Sequence, residues 1–210
     1  MAAQASILLC LFCFCLSLQL AYGCYTGSEC VRILDANGKE VKLNQPYCLS
    51  PENTSSSKLP SLLNTPVTFR STKAAPGQSD GSKLCCGQRV EIGTSRNQYW
   101  AESDMLLPPG HVILEGGIPD SEREPGMIFF NHVVAFYIIP APQNNGYYIQ
   151  RSTDAGDITA CCRGQQACGD SPDVKFVQIL NNYLVSGPRL SGGPTVFQFK
   201  PAPAGASSCA

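Results

Sequence analysis

Val, Ile, Phe and Tyr gather in short windows along this chain, and Gly, Pro, Asn and Ser punctuate the intervals between them. Apolar positions spaced for one face of a helix do not persist beyond three turns, whereas short branched and aromatic runs suit half-buried strands. The strand windows are Cys30 to Leu34, Gln45 to Leu49, Val67 to Arg70, Arg89 to Gly93, Gln98 to Ala101, Val112 to Glu115, Val133 to Ile139, Tyr147 to Arg151, Lys175 to Ile179 and Thr195 to Lys200. Phe197-Gln198-Phe199 alternates as a barrel or sheet face does. Asn37-Gly38 and Asn145-Gly146 each separate two such windows and predict tight hairpins. Ser50 to Thr65 and Thr72 to Lys83 are poor in apolar side chains and read as exposed loops. Many short strands with frequent turns predict an all-β fold: a barrel, a sandwich or a β-trefoil.

The N-terminal stretch has a different pattern. Ile7 to Leu20 is apolar and uncharged, and Ala21-Tyr22-Gly23 follows with small residues at the spacing of a cleavage site. Residues 1–23 are therefore expected to be a secretory signal peptide, too short an apolar run for a comfortable membrane span. Its removal from the 210 residues leaves 187, beginning at Cys24, enough for one domain with a real core. The body is expected over 24–200, followed by a flexible Pro/Ala/Ser tail at 201–210, loose unless a bridge at Cys209 holds it.

Of the 12 cysteines, Cys10, Cys13 and Cys15 belong to the signal, leaving nine: Cys24, Cys30, Cys48, Cys85, Cys86, Cys161, Cys162, Cys168 and Cys209. An oxidising compartment makes these disulfide candidates. The odd number leaves one thiol free or joins two chains, so the expectation is a monomer or a disulfide-linked dimer. Connectivity stays open at this point. Short loops favour Cys24–Cys30 and Cys162–Cys168, and the adjacent Cys85 and Cys86 are expected to bond to two different partners. Asn53-Thr54-Ser55 is a glycosylation sequon.

Charge and motifs narrow the function classes. Lys and Arg number 15 and Asp and Glu 16, for a net charge of −1, so bulk charge does not attract nucleic acid. His111 and His132 stand far from the cysteines in sequence, which argues against zinc, and no metal or cofactor is expected. Without a Gly-x-Ser-x-Gly elbow or an aligned Ser, His and Asp, no catalytic residue is assigned. His132 reads as structural or surface, His111 as a loop residue after Pro108-Pro109-Gly110, Trp100 as core, Arg70 as a charge on a barrel rim, and Asp35 as a hydrogen-bonding residue of the first turn.

The ordered motifs resemble the plant Kunitz-type (soybean-trypsin-inhibitor-like) protease inhibitors. They are Ile33-Leu34-Asp35-Ala36-Asn37-Gly38-Lys39-Glu40-Val41 with Pro46-Tyr47, then Tyr99-Trp100 with Gly116-Gly117. Further on come Phe136-Tyr137-Ile138, Tyr147-Tyr148-Ile149 and Cys161-Cys162, and last Arg189-Leu190 with Pro194 to Lys200. That resemblance implies a disulfide-rich β-trefoil, a short-stranded barrel with a hairpin cap, secreted or vacuolar, that is not an enzyme. The chain departs from it in having cysteines for four bridges rather than two and a short stretch between Tyr47 and Pro66, which implies a reduced strand in the first unit.

The resemblance also implies an exposed inhibitory loop ahead of Pro66-Val67-Thr68-Phe69, with Lys58 as the primary specificity residue. The loop comprises Ser57, Lys58, Leu59, Pro60, Ser61, Leu62 and Leu63. Pro60 restrains itself and Leu59 to extended backbone, which lowers the entropy lost on docking. A lysine ammonium suits the acidic pocket of a trypsin-like serine protease, Leu59 and Leu62 would add apolar contact, and Asn64 is suited to a left-handed turn. The alternative reading is a non-inhibitory trefoil binding module for carbohydrate or a secreted protein. Neither reading involves nucleic acid or a membrane.

Overall fold

The structure, a computed structural model of the 210-residue chain, describes residues 30–52, 59–72, 83–94, 98–108, 110–118, 132–141, 145–152, 162 and 174–209. The expected signal peptide and Cys24 lie outside the described residues. The strands are β1 (Tyr47–Pro51), β2 (Val67–Ser71), β3 (Val90–Thr94), β4 (Tyr99–Leu107), β5 (His111–Gly117), β6 (His132–Val133), β7 (Phe136–Pro140), β8 (Tyr147–Arg151), β9 (Phe176–Leu180), β10 (Tyr183–Gly187) and β11 (Phe197–Pro201), with a 3₁₀ turn at Ser61–Asn64.

All pairings are antiparallel, and a subset of them closes a ring. β1 pairs β2, β2 pairs β3, β3 pairs β7, β7 pairs β8, β8 pairs β11, and β11 returns to β1. These six strands form a barrel and so leave no barrel edge unpaired. The pairs β2–β3, β7–β8 and β11–β1 contribute the longest registers. Between these pairs the chain makes three excursions at equivalent points. The hairpin β4–β5 lies between β3 and β7, and β9–β10 between β8 and β11. The third excursion, between β1 and β2, has the 3₁₀ turn as its described element. This threefold plan is the β-trefoil; residues 53–58 of the first unit's excursion lie outside the described residues.

Alternation decides which side chains fill the barrel. Phe69, Phe136, Phe197, Phe199 and Trp100 are fully buried, with Val67, Val90, Ile92, Ile138 and Ile149 beside them. Phe69 meets Phe199 edge-on at 5.4 Å, and Trp100 meets Phe136 likewise at 5.8 Å, the offset geometry that aromatic quadrupoles prefer. Trp100 is thus a core residue, as expected.

The sequence windows and the strands differ where pairing is non-local. Cys30 to Leu34 is not a continuous strand: Arg32 bridges Cys85 and Leu34 bridges Glu40, while Lys42 bridges Lys83. The hairpin at Asn37-Gly38 is present, with Gly38 at φ 73° and its N–H donating to Asp35 O at 2.9 Å. The Asp35 carboxylate accepts from the backbone of Asn37 and Lys39 at 2.8 and 3.0 Å, the role expected of it. β4 runs past Ala101 to Leu107 because a bulge between Glu102 and Leu106 absorbs its polar middle. The window Val133 to Ile139 divides into β6 and β7. β10 has no counterpart among the windows. Its turn, Asn181-Asn182 at φ 51° and 66°, is the two-residue hairpin signal that could have revealed it.

Among the described residues three disulfides tie the trefoil together: Cys30–Cys85, Cys48–Cys209 and Cys86–Cys162. The short-loop pairings Cys24–Cys30 and Cys162–Cys168 are overturned. Cys30 lies beside Cys85 because Arg32 and Cys85 are bridged, and Cys162 is drawn to Cys86. The adjacent Cys85 and Cys86 do take two different partners. Cys161 and Cys168 lie outside the described residues. The C-terminal tail meets the condition set for its being held: Cys209 is bridged, its N–H donates to Asn64 O at 2.8 Å, and Ala202 N–H donates to Pro46 O at 3.1 Å.

Candidate functional site

The excursion between β1 and β2 carries the proposed protease-contacting loop. On its entry side Glu52 is fixed twice. Its N–H donates to Val196 O at 2.8 Å, and its Oε1 accepts from Gln198 Nε2 at 3.0 Å. Gly146 permits this closeness, since a Cβ there would lie 2.4 Å from Val196 Cγ1 and 2.9 Å from Phe197 O. Asn53, Ser57 and Lys58 lie outside the described residues.

The exit side is anchored in the body. Pro60 is buried with φ −52° and ψ 142°, the extended conformation its ring favours. Its carbonyl accepts from Leu63 N–H at 2.9 Å and starts the 3₁₀ turn. Leu63 is 1% exposed, and Leu59 and Leu62 pack against the core cluster. Ser61 is exposed, as is Asn64, whose backbone stays in the 3₁₀ turn rather than turning left-handed as expected. Cys209, bonded to Cys48 of β1, caps Asn64 O and so clamps the turn.

Seven consecutive loop residues therefore do not present one continuous outward face. Burial of Pro60 and Leu63, and packing of Leu59 and Leu62 on the core, convert the exit half into a brace. Their apolar character reads equally as contact surface or as anchor in a linear sequence, and only the barrel behind them separates the two. The residues fixing the entry side, Glu52 and Gln198, had no role assigned from sequence. The Gln between two buried phenylalanines was the available signal, since alternation sends it outward.

Other singled-out residues have structural surroundings. Arg70 of β2 lies over the Tyr99 ring at 4.4 Å and bonds Glu91 at 2.7 Å, so it is a barrel-side ion pair. His132 is exposed at the start of β6. His111 is not a loop residue. It opens β5, is 1% exposed, and its Nε2 lies 3.0 Å from Pro188 O. Gln178, fully buried beside it, donates to the same carbonyl at 2.8 Å and accepts from Leu190 N–H at 2.9 Å. These bonds satisfy the backbone where the chain leaves β10. Among the described residues no three His, Cys, Asp or Glu side chains converge as a metal site would require.

Near the first turn Glu40 bonds both Arg32 and Lys83, the latter at 3.1 Å. The Lys83 hydrogen bond, assisted by the Arg32 charge, holds the Glu40 carboxyl below the usual glutamate range despite some desolvation acting the other way.

No protein-family model matches the sequence, and no curated protein sequence does. The comparison of folds is informative. The chain is similar to winged bean albumin 1, with 14% identity and a TM-score of 0.53 over 81% of this chain and 99% of that one. It is similar to a Kunitz-type trypsin inhibitor from Cicer arietinum, with 14% identity and a TM-score of 0.52 over 82% and 99%. A Kunitz-type cysteine protease inhibitor from potato matches with 17% identity and a TM-score of 0.50 over 83% and 99%. What these structures share with the chain is the fold, an all-β trefoil, and here disulfides cross-link it.

Proposed function

We propose that the protein is a secreted inhibitor of serine proteases, presenting the Lys58–Leu59 peptide as a poorly turned-over substrate mimic, with no chemistry of its own. The observation carrying this reading is the double anchorage of the excursion. Glu52 is hydrogen-bonded to Val196 and Gln198 on one side, and Pro60 to Leu63 are seated on the barrel on the other. A segment with both ends fixed loses less conformational entropy when an enzyme closes on it than a free loop does. The contact surface in this reading is Ser57, Lys58, Ser61 and the exposed parts of Leu59 and Leu62. Lys58 supplies the charge for an acidic specificity pocket, and the Asn53 sequon would carry a glycan at the rim.

The test is titration of disulfide-intact protein against trypsin, other serine proteases and a papain-like cysteine protease. Stoichiometric loss of trypsin activity is expected, with Lys58→Ala weakening it at least about 100-fold, the scale of a buried charged hot spot. Trypsin inhibition that survives Lys58→Ala undiminished refutes this loop. The second reading, a non-inhibitory binding module, is supported by a cavity that adjoins the entry anchor of the excursion through Gly146 and Gln198.

A further inference from the structure

A cavity of about 290 Å³ opens between the first turn, residues 140–141 and 145–147 at the adjoining ends of β7 and β8, and β11. We propose that it is a binding site for a single neutral sugar ring, an activity distinct from protease inhibition that develops the second reading above. Its volume stands at the lower end of the range for small-molecule sites, about 300–1,000 Å³, which suits one pyranose rather than an extended chain.

The lining fits that ligand chemically. Tyr147, Leu34 and Pro140 supply an apolar surface for the C–H face of a pyranose, with the buried Phe199 ring behind Tyr147. Asn145 and Gln198 supply amides, which both donate and accept, as sugar hydroxyls do. Gln198 gives its Nε2 to Glu52, leaving Oε1 to accept from a hydroxyl. Among the described residues no Lys or Arg lines the cavity, which disfavours an anion. The Asp35 carboxylate also lines it but already accepts two backbone N–H bonds through Oδ1, so its charge is partly satisfied before any ligand arrives.

The walls are built before binding. Leu34 N–H donates to Tyr147 Oη at 2.8 Å, Ala36 N–H to Phe199 O at 2.7 Å, and Ala141 N–H to Gly146 O at 2.9 Å. Tyr147 stacks on Phe199 at 5.2 Å. A preformed concave surface is what a small, weakly binding ligand needs, because little ordering cost is left to offset.

The experiment is an amide-resolved NMR titration of the full disulfide-bonded protein. The probes are the methyl glycosides of glucose, galactose, mannose and N-acetylglucosamine, with methylammonium as a cationic comparator. At least one glycoside is expected to shift the amides of Gly38, Asn145 and Gly146, with a Kd on the order of 1 mM. Asn145→Ala and Gln198→Ala should each weaken that binding about fivefold to tenfold. Because Gln198→Ala also releases Glu52, the exposed-turn variant Asn145→Ala carries the decision if the other misfolds. The proposal is overturned if no glycoside shifts these amides at 20-fold the expected Kd, if methylammonium binds in their place, or if sugar binding is unchanged in both variants.

Discussion

Removal of the Cys48–Cys209 bridge tests how this trefoil is held and how its candidate loop is braced. The bridge closes 161 residues, which by chain entropy alone would stabilise by about 5 kcal/mol. The other two bridges shorten that ring. The covalent path from Cys48 back to Cys30, across to Cys85, on to Cys86, across to Cys162 and forward to Cys209 spans only about 66 residues, which lowers the entropic value to about 4 kcal/mol. The native state adds a local consequence. Cys209 caps Asn64 O, so freeing the tail also removes a restraint on the turn that seats Leu63. The perturbation is Cys48→Ser with Cys209→Ser, and the assay is guanidinium denaturation followed by far-UV circular dichroism. With a slope of about 4 kcal/mol per molar, the midpoint should fall by about 1 M, and the slope itself should rise as the unfolded chain expands. A stability loss under about 1 kcal/mol would refute the chain-entropy reasoning. An unchanged trypsin titration in the variant would show that the brace is dispensable to whatever that loop contacts.

Two further outcomes follow from the packing and the charges. Gly187→Ala places a Cβ 2.4 Å from His111 Cδ2 and 3.0 Å from its Cα, so the buried imidazole must shift. A loss of about 1–3 kcal/mol is expected by thermal melting, and a wild-type melting curve would show that β5 and β10 separate freely. Glu40→Gln should matter in only one pH range. The folded-state pKa of Glu40 is lowered, so its ion pairs stabilise the protein above the ordinary glutamate pKa, and that contribution is lost as pH falls through the folded value. Urea midpoints of wild type and variant should therefore differ at pH 7 and converge in acid. A gap that persists at low pH means the carboxylate charge is not responsible.

Signals that act over a few residues were legible. The Asp35 to Gly38 turn and the windows that became β2, β3, β8 and β11 show it, because alternation and turn chemistry are local even where, as for β11, the pairing partners lie far away in sequence. β10 was missed, although Asn181-Asn182 offered a two-residue turn signal ahead of its buried Leu184 and Val185. His111 shows the opposite limit. A histidine after Pro-Pro-Gly reads as loop, yet its burial depends on Gln178 and Pro188, more than sixty residues away.

The amino-acid sequence by itself determined the all-β class and the use of cysteines as cross-links, which follow from residue types and short-range spacing. The trefoil, as against a barrel or a sandwich, entered only through the resemblance of the ordered motifs to the Kunitz-type inhibitors. Tertiary structure decided which cysteines meet, that the exit side of the first unit's excursion forms a 3₁₀ turn, and that Pro60 and Leu63 are buried. The reason is that burial and bridge partners are properties of chain segments brought together across the barrel. An apolar residue in a linear text has no inside or outside until a second segment arrives to cover it.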